Sequence, residues 1–355
     1  MSSHKHQSPA ASQPQLHTLP ATPANCFWGF FDNSRAPVLH VHSGDIISVE
    51  TLTHQAGDAP DLMMDDGVRE VYATIPMSER GPGVHIITGP IYVHEAQPGD
   101  TLEVRILGLE PRLPYGTNLA AWWGGLYDEF RKERITIYRI DADSGWARAA
   151  FAFDYRSSPR YDAPGTIIDP DPSGREPALV DVTVPLRPHL GVMGVAPREA
   201  GRINSIPPAD FGGNIDNWRI GPGAVMYYPV FNPGALFFAG DPHMAEGDGE
   251  LSGTAIESSA NAVLQLFVRK DFPTDHPILE TASHWFTHGF DEDLDLAMRQ
   301  AALKMLAFLT SRKGLSRDEA YSLMSVAVDF GVTQVVDQRK GIHAALPKNL
   351  FGRIV

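Results

Sequence analysis

The chain contains one cysteine, Cys26, in 355 residues. That excludes an intrachain disulfide and any zinc or iron–sulfur site built from several cysteines. Disulfides mark oxidising compartments, so a cytoplasmic setting is expected. No stretch approaches the ~20 consecutive apolar residues of a membrane-crossing helix. Basic residues are outnumbered, 29 against 43 acidic, giving a net charge of −14 with His neutral. A surface of that sign repels phosphate, so neither nucleic acid nor a membrane is expected as a partner. Familiar catalytic signatures are missing too. There is no Gly-x-Ser-x-Gly nucleophile elbow and no Gly-x-x-x-x-Gly-Lys phosphate loop. A Gly-x-Gly-x-x-Gly after a strand and a His-Glu-x-x-His pair are also absent. Cys26 lies beside Phe27 and Trp28 with no nearby Lys or His to lower its pKa, which argues against a thiol nucleophile.

What the chain does have is glycine (32) and proline (29), within a composition that is 43% hydrophobic and 20% charged. That supports a globular core with many turns and short strands rather than a helical bundle. Val38–Val41, the turn Ser43-Gly44-Asp45 and Ile46–Glu50 read as strand, turn, strand. Gly89–Val93, Gln97-Pro98-Gly99-Asp100 and Thr101–Ile106 repeat that pattern. Residues 107–180 are less regular, with an aromatic loop at Trp122-Trp123-Gly124-Gly125. Strands are expected again at Leu179–Val184, Gly191–Ala196, Val225–Val230, Ala235–Ala239 and 262–268. Late in the chain, apolar residues at three- and four-residue spacing predict a helix over Asp291–Thr310, stopped by Gly314. Ser316 and Glu319 form a capping-box pattern opening a second helix, Arg317–Phe330, with a strand at Val332–Val336.

The expected fold is mainly β with an α+β C-terminal part: a sandwich or barrel-like core of short strands with two late helices packed on it. Residues 1–20 are polar and read as a flexible N-terminal arm. Residues 21–190 form a β-rich domain with a long loop at 157–177, and 191–355 an α+β domain carrying an acidic loop.

That loop, Gly240 to Glu250, is the strongest local constellation. Asp241, His243, Glu246, Asp248 and Glu250 can all ligate a metal or move a proton, and Pro242, Gly247 and Gly249 bend the chain so that they can converge. The loop follows an apolar strand, where rigid scaffolds present chemistry. The other reading is a solvated acidic turn. An EF-hand is excluded, because the ladder of Asp/Asn ending in Glu at position twelve is missing. Asp210 to Trp218 holds Gly212, Gly213, Asn214 and Asp216, where paired glycines permit a close backbone approach. His85 stands between two Gly-Pro turns. Asp32 follows an aromatic run and either turns the chain or lines a pocket.

In combination these segments resemble the acetamidase/formamidase family. The resemblance is carried by Gly44-Asp45, by Thr88–Val93 running into Ala96–Asp100, and by Gly191–Pro197. It continues through Gly212–Asp216, Gly240–Glu250, and the stretch from Ala320 through Thr333–Val336 to Leu346-Pro347-Lys348. It implies metal-dependent hydrolysis of the linear C–N bond of a small amide such as formamide or acetamide, releasing ammonia and a carboxylate. A related carbamate or γ-lactam is the alternative substrate, and a non-catalytic metal-binding β-protein is the alternative of another class. The resemblance also implies a homo-oligomer, a dimer or larger, with a divalent metal at the acidic site. A mixed His/carboxylate set suits zinc, and calcium if oxygen ligands dominate. On that footing His243, Asp241 and Asp216 are expected as metal ligands, with His85 a fourth. Glu250 is expected as general base and acid, with Asp248 orienting it or binding metal. Asn214, Gly213 and Asp32 are expected at the substrate.

Overall fold

The computed structural model describes residues 13–156, 164–168 and 172–352. Two large sheets pack face to face, as the sandwich expectation requires. The larger has nine strands, in the order Leu16–Leu19, Ile46–Thr51, Ala260–Arg269, Thr101–Pro111, Val225–Pro229, Ile278–Glu280, His284–Asp291, Lys340–Pro347 and Asp329–Val332. The smaller runs Gly212–Asn214, His189–Gly194, Phe237–His243, Ile86–Val93 and Cys26–Trp28, with Leu39–Val41 also pairing to Ile86–Val93. Period-two patterning explains the packing. Ala260, Ala262, Leu264 and Leu266 are buried on alternate positions of one strand. With Ile47, Val49, Leu102 and Val104 they meet Ile87, Ile91, Val192 and Phe237 of the other sheet in one core.

The two late helices lie on the far end of the nine-stranded sheet, where Ala297, Ala301, Met305, Leu309 and Met324 pack against Ile342, Ala344 and Leu346. The first spans Leu294–Lys313, starting later than Asp291 because Asp293 caps it, accepting from the N–H groups of Asp295 and Leu296. Gly314 ends it with φ +70°. The second spans Arg317–Ala327, with both capping-box bonds between Ser316 and Glu319 formed. It stops three residues before Phe330 because Asp329–Val332 is already a strand paired with Lys340–Pro347. The strand expected at Val332–Val336 is thus displaced towards the N-terminus. Gly331 sits inside it because the His343 ring occupies the space of a side chain.

Residues 107–180 are more regular than their sequence suggests. Tyr115–Ala120, Glu133–Asp141 and Trp146–Arg156 form an antiparallel meander. A helix over Asp66–Thr74, capped by Asp65, packs with it through Val68, Val71, Leu119, Ile135 and Ile137. The strand expected at Leu179–Val184 shrinks to Val184–Pro185, since Leu179 (φ 47°) and Asp181 (φ 64°) turn the chain. Of the arm expected over 1–20, residues 1–12 lie outside the described residues and Leu16–Leu19 is an edge strand parallel to Ile46–Val49. Residues 157–163 and 169–171 of the expected 157–177 loop also lie outside them. The boundary expected after residue 190 falls inside the His189–Gly194 strand, and both large sheets draw strands from either side of it. No helix among the described residues is long and apolar enough to cross a membrane.

Candidate active site

The Phe237–His243 strand is buried at every position, between His189–Gly194 and Ile86–Val93. Gly240 pairs with Val192 and Pro242 with Leu190, which sets Asp241 opposite Gly191. A Cβ on Gly191 would run into Asp216 Oδ1, and would lie 2.7 Å from His243 Cε1 and 2.8 Å from Asp241 Oδ2. The missing side chain is what lets those three converge. Asp216 arrives just beyond Gly212–Asn214, whose Asn214 is opposite Val192. His85 precedes the Ile86–Val93 strand, with Nδ1 3.0 Å from Ser205 Oγ. His54 follows Ile46–Thr51 from the other sheet. Glu257 bridges to His243 and to Thr117, and the bridge between Gly249 and Gln334 brings Glu250 close to Asp337.

These elements enclose a cavity of about 280 Å³. His54, His85, Asn214, Asp216, Asp241, Glu250, Glu257 and Asp337 line it, and Trp122 and Trp123 form part of its wall. Asp216 (φ 47°), Asp241 (φ 49°) and Glu250 (φ 43°) all hold left-handed backbone. That conformation is costly for residues with a Cβ, and it clusters where function fixes it.

The charges are unevenly matched. Burial drives both His54 and His85 down to about 4, leaving neutral imidazoles at neutral pH. Burial opposes the charge of Asp241, but His85, His243 and His54 together hold its carboxyl below the usual range. His243 goes the other way: burial opposes its charge, yet Glu257 and Asp241 raise it well above an ordinary imidazole. Asp216 is raised well above the usual range by burial, Glu250 and Asp337. Glu250 is raised likewise by burial, Asp337 and Glu246. Burial also lifts Glu257, and lifts Asp337 to about 7.

Several buried polar atoms have no hydrogen-bond partner: His54 Nδ1, Asp241 Oδ1 and Glu257 Oε2. Groups left that way are costly and rare, and a cation would satisfy them. His54, His85 and Asp241 offer ligand atoms that all lie within 4.8 Å of one another. Two neutral imidazoles with an ionised carboxylate, open to a cavity, fit the donor pattern of a catalytic zinc ion.

The expected site residues divide. Asp241, Asp216, His85, Asn214 and Glu250 come together in the cavity. Asn214 Nδ2 donates to Ile206 O at 3.1 Å, and its Oδ1 has no partner. His243 lies behind them. Its ligand atoms fall within 4.8 Å of those of Asp216 and Asp241, but its ring is hemmed in by Asp241 at 3.0 Å, His189 at 3.1 Å, Glu257 at 3.3 Å and Glu246 at 3.5 Å. Asp248 turns outward, accepting from Trp218 Nε1 and Arg219 Nη1 at 2.8 Å each, and is not part of the cavity wall. Gly213 holds φ +78°, and a Cβ on it would lie 3.1 Å from the Phe211 ring and 3.3 Å from the Phe31 ring. Asp32 accepts from the N–H and hydroxyl of Ser34 in a turn. His54, Glu257 and Asp337 were not singled out by sequence. His54 follows a strand end, as the Gly240–Glu250 block does, and Asp337 directly follows the Thr333–Val336 segment.

A model of the Acetamidase/Formamidase family matches residues 31–202 and 198–353. A formamidase of Methylophilus methylotrophus is 26% identical over 353 residues, covering 84% of this chain and 82% of its own. The crystal structure of an acetamidase from Bacillus halodurans superposes with a TM-score of 0.74 at 29% identity, covering 95% of this chain and 99% of that one. An acetamidase structure from Yersinia enterocolitica gives 0.75 at 26% identity, covering 96% and 94%.

Proposed function

The chain belongs to the acetamidase/formamidase family, and we propose that its cavity hydrolyses a short linear amide with the help of a divalent ion held by His54, His85 and Asp241. It is an amidohydrolase. The observation that carries the metal reading is the set of partnerless buried atoms on His54 and Asp241 facing the same cavity. Zinc suits that set, and when bound it polarises the carbonyl oxygen and lowers the pKa of water.

The chain's own residues supply the rest. His243, held charged by Glu257 and Asp241, fixes the orientation of the Asp241 carboxylate through its Nε2, 3.0 Å away. Asp216, Glu250 and Asp337 offer carboxylate oxygens within 4.8 Å of one another. Three such groups in low dielectric cannot all ionise, so protons are retained among them. Glu250 takes a proton from the attacking water and returns it to the departing nitrogen, the service an amide needs because its nitrogen leaves poorly. Trp122 and Trp123 wall the cavity.

The test is a panel of formamide, acetamide, propionamide, carbamates and γ-lactams, assayed with chelator-treated and zinc-restored protein. Turnover of the short amides, lost on chelation and regained with zinc, is the expected result. Full turnover in metal-free protein overturns the metal assignment, and preference for a lactam or carbamate overturns the substrate assignment.

We also infer a homo-oligomer of even number. Trp146, Leu179, Val180 and Val182 are exposed beside the Val184–Pro185 edge strand. An apolar edge of that kind aggregates unless it is covered. Light scattering at micromolar concentration should give an even multiple of 38.8 kDa, and a monomeric or odd-numbered mass overturns the inference.

A further inference from the structure

A second, smaller chamber adjoins the cavity and shares His54 and Gln55 with it. Asp58, Glu133 and Thr166 contribute further walls. The segment carrying Thr166 is pinned in place: Ile168 N donates to Gly57 O at 2.9 Å, and a Cβ on Gly57 would collide with Thr166 O. About 30 Å³ is available inside, room for one water-sized molecule.

Leu119, Ile135 and Ile168 form the apolar part of the lining, with carboxyl and amide groups beside them. Asp58 accepts from Thr117 Oγ1 at 2.8 Å. Burial, and then the like charges of Glu257 and Glu133, push its carboxyl up to about 7. Glu133 is 2% exposed and accepts from Trp122 Nε1 at 3.2 Å. Gln55 is 7% exposed, and its Oε1 has no hydrogen-bond partner. An amide oxygen and two carboxyl groups around so small a space match a compact cation that only donates hydrogen bonds.

We propose that this chamber is an ammonium site that receives the nitrogen product from the adjoining cavity. The proposal rests on the amide-hydrolysis reading. In that reaction an amide and water give a carboxylate and ammonium: the C–N bond breaks, a C–O bond forms, and both water protons end on nitrogen. Ammonium carries four N–H donors and a positive charge, which Gln55, Asp58 and Glu133 accept. A bound cation favours the ionised form of Asp58, and the carboxylate product then has the sign of Asp58 and Glu133, so the same groups repel it and keep it in the larger cavity. The two products are thereby sorted by charge.

Thallium(I) resembles ammonium in charge and size and scatters anomalously. Crystals of the whole protein soaked in thallium(I) acetate should show an anomalous peak between Gln55, Asp58 and Glu133, displaced by ammonium acetate and retained in tetramethylammonium acetate. Asp58→Asn keeps an acceptor for Thr117 but removes the charge. It and Glu133→Gln should lose the peak and raise the inhibition constant for ammonium about tenfold or more. An empty chamber in the thallium-soaked unmodified protein overturns the proposal without recourse to any variant. A protein that hydrolyses formamide with no thallium in the chamber overturns the ammonium site alone. Thallium bound there in a protein that hydrolyses no amide leaves the cation site standing and overturns the functional reading.

Discussion

Gly191 and Asp241 face one another across two neighbouring strands, and the space a Cβ would need on the glycine is filled by the Asp241 carboxylate. The same Cβ would meet Asp216 and His243, so one missing side chain serves three groups of the site. Gly191→Ala should therefore act on the site more than on the fold. Overpacking of this kind costs about 1–3 kcal/mol, a modest loss for a sandwich core of this size. Turnover and zinc content should both fall, and circular dichroism should remain that of the parent protein. Normal zinc content in a folded variant would show that the convergence does not depend on Gly191.

His54 and His243 differ in what they face. His54 lines the cavity with a partnerless Nδ1, whereas the His243 ring is packed among four polar side chains behind it. A ligand and a supporting residue respond differently to removal. Supporting partners typically cost 10–100-fold in metal affinity. His243→Asn should fall in about that range, and His54→Ala should lose more than about 100-fold. Competition with a zinc-selective dye measures both. Equal losses, or a larger loss for His243, would return His243 to the ligand set.

The contrast shows which parts of the site are legible in sequence. Asp241, His243, Glu246 and Glu250 lie within ten residues after an apolar strand, so their proximity is local and can be read directly. His54 and Glu257 reach the same cavity through sheet register, the first from the Ile46–Thr51 strand and the second through a bridge to His243. Nothing near either residue encodes that meeting. Asp248 lies apart for the converse reason, since its closeness in sequence puts it on the outside of the turn, against Arg219. The fold divides in the same way. Gly314 and the Ser316–Glu319 box are local chemistry and mark the helix boundaries they flank, whereas the Asp293 cap lies inside the Asp291–Thr310 span expected as helix. The meander over residues 115–156 is held by pairing with bulges at Ala149/Phe151 and Asp154/Arg156, which blur the period of two.

The surplus of buried carboxyls pulls the stability of the metal-free protein down as pH rises. Asp337 is lifted by burial to about 7. A carboxyl whose folded pKa exceeds its unfolded one binds its proton more tightly when folded, so stability falls as pH rises between the two values. His54 and His85, lowered by burial to about 4, act oppositely until the unfolded imidazole has lost its proton, about a unit above pH 6.5. His288 and His343, also lowered by burial, add to that rise. The Asp337 contribution is therefore read as the difference between the parent and Asp337→Asn, in which the histidines cancel. In chelator-treated protein the melting temperature of the parent relative to that of the variant should fall between pH 5 and pH 8. A difference that stays constant or grows over this interval would contradict the assignment.

Glu250 and Asp248 give the sharpest comparison, because they are two residues apart and opposite in placement. Glu250 is buried in the cavity on a left-handed backbone, with its carboxyl raised by burial, Asp337 and Glu246. Asp248 is outside, paired with Arg219 and Trp218. An amide side chain preserves the size and hydrogen-bonding reach of either, so Glu250→Gln and Asp248→Asn should both fold and load zinc. They should differ in turnover. An amide cannot accept and return a proton near neutral pH, so Glu250→Gln should lose about 10²–10⁴-fold in kcat, the usual worth of a general acid/base. The acid limb of the pH–rate profile should vanish with it. Asp248→Asn gives up a solvent-screened ion pair, which is worth at most about 1 kcal/mol, and should keep kcat within a few-fold. Zinc content and kcat measured on the same preparations separate the roles. Loss of zinc in Glu250→Gln would make Glu250 a ligand, and near-normal kcat in the zinc-loaded variant would remove it from proton transfer.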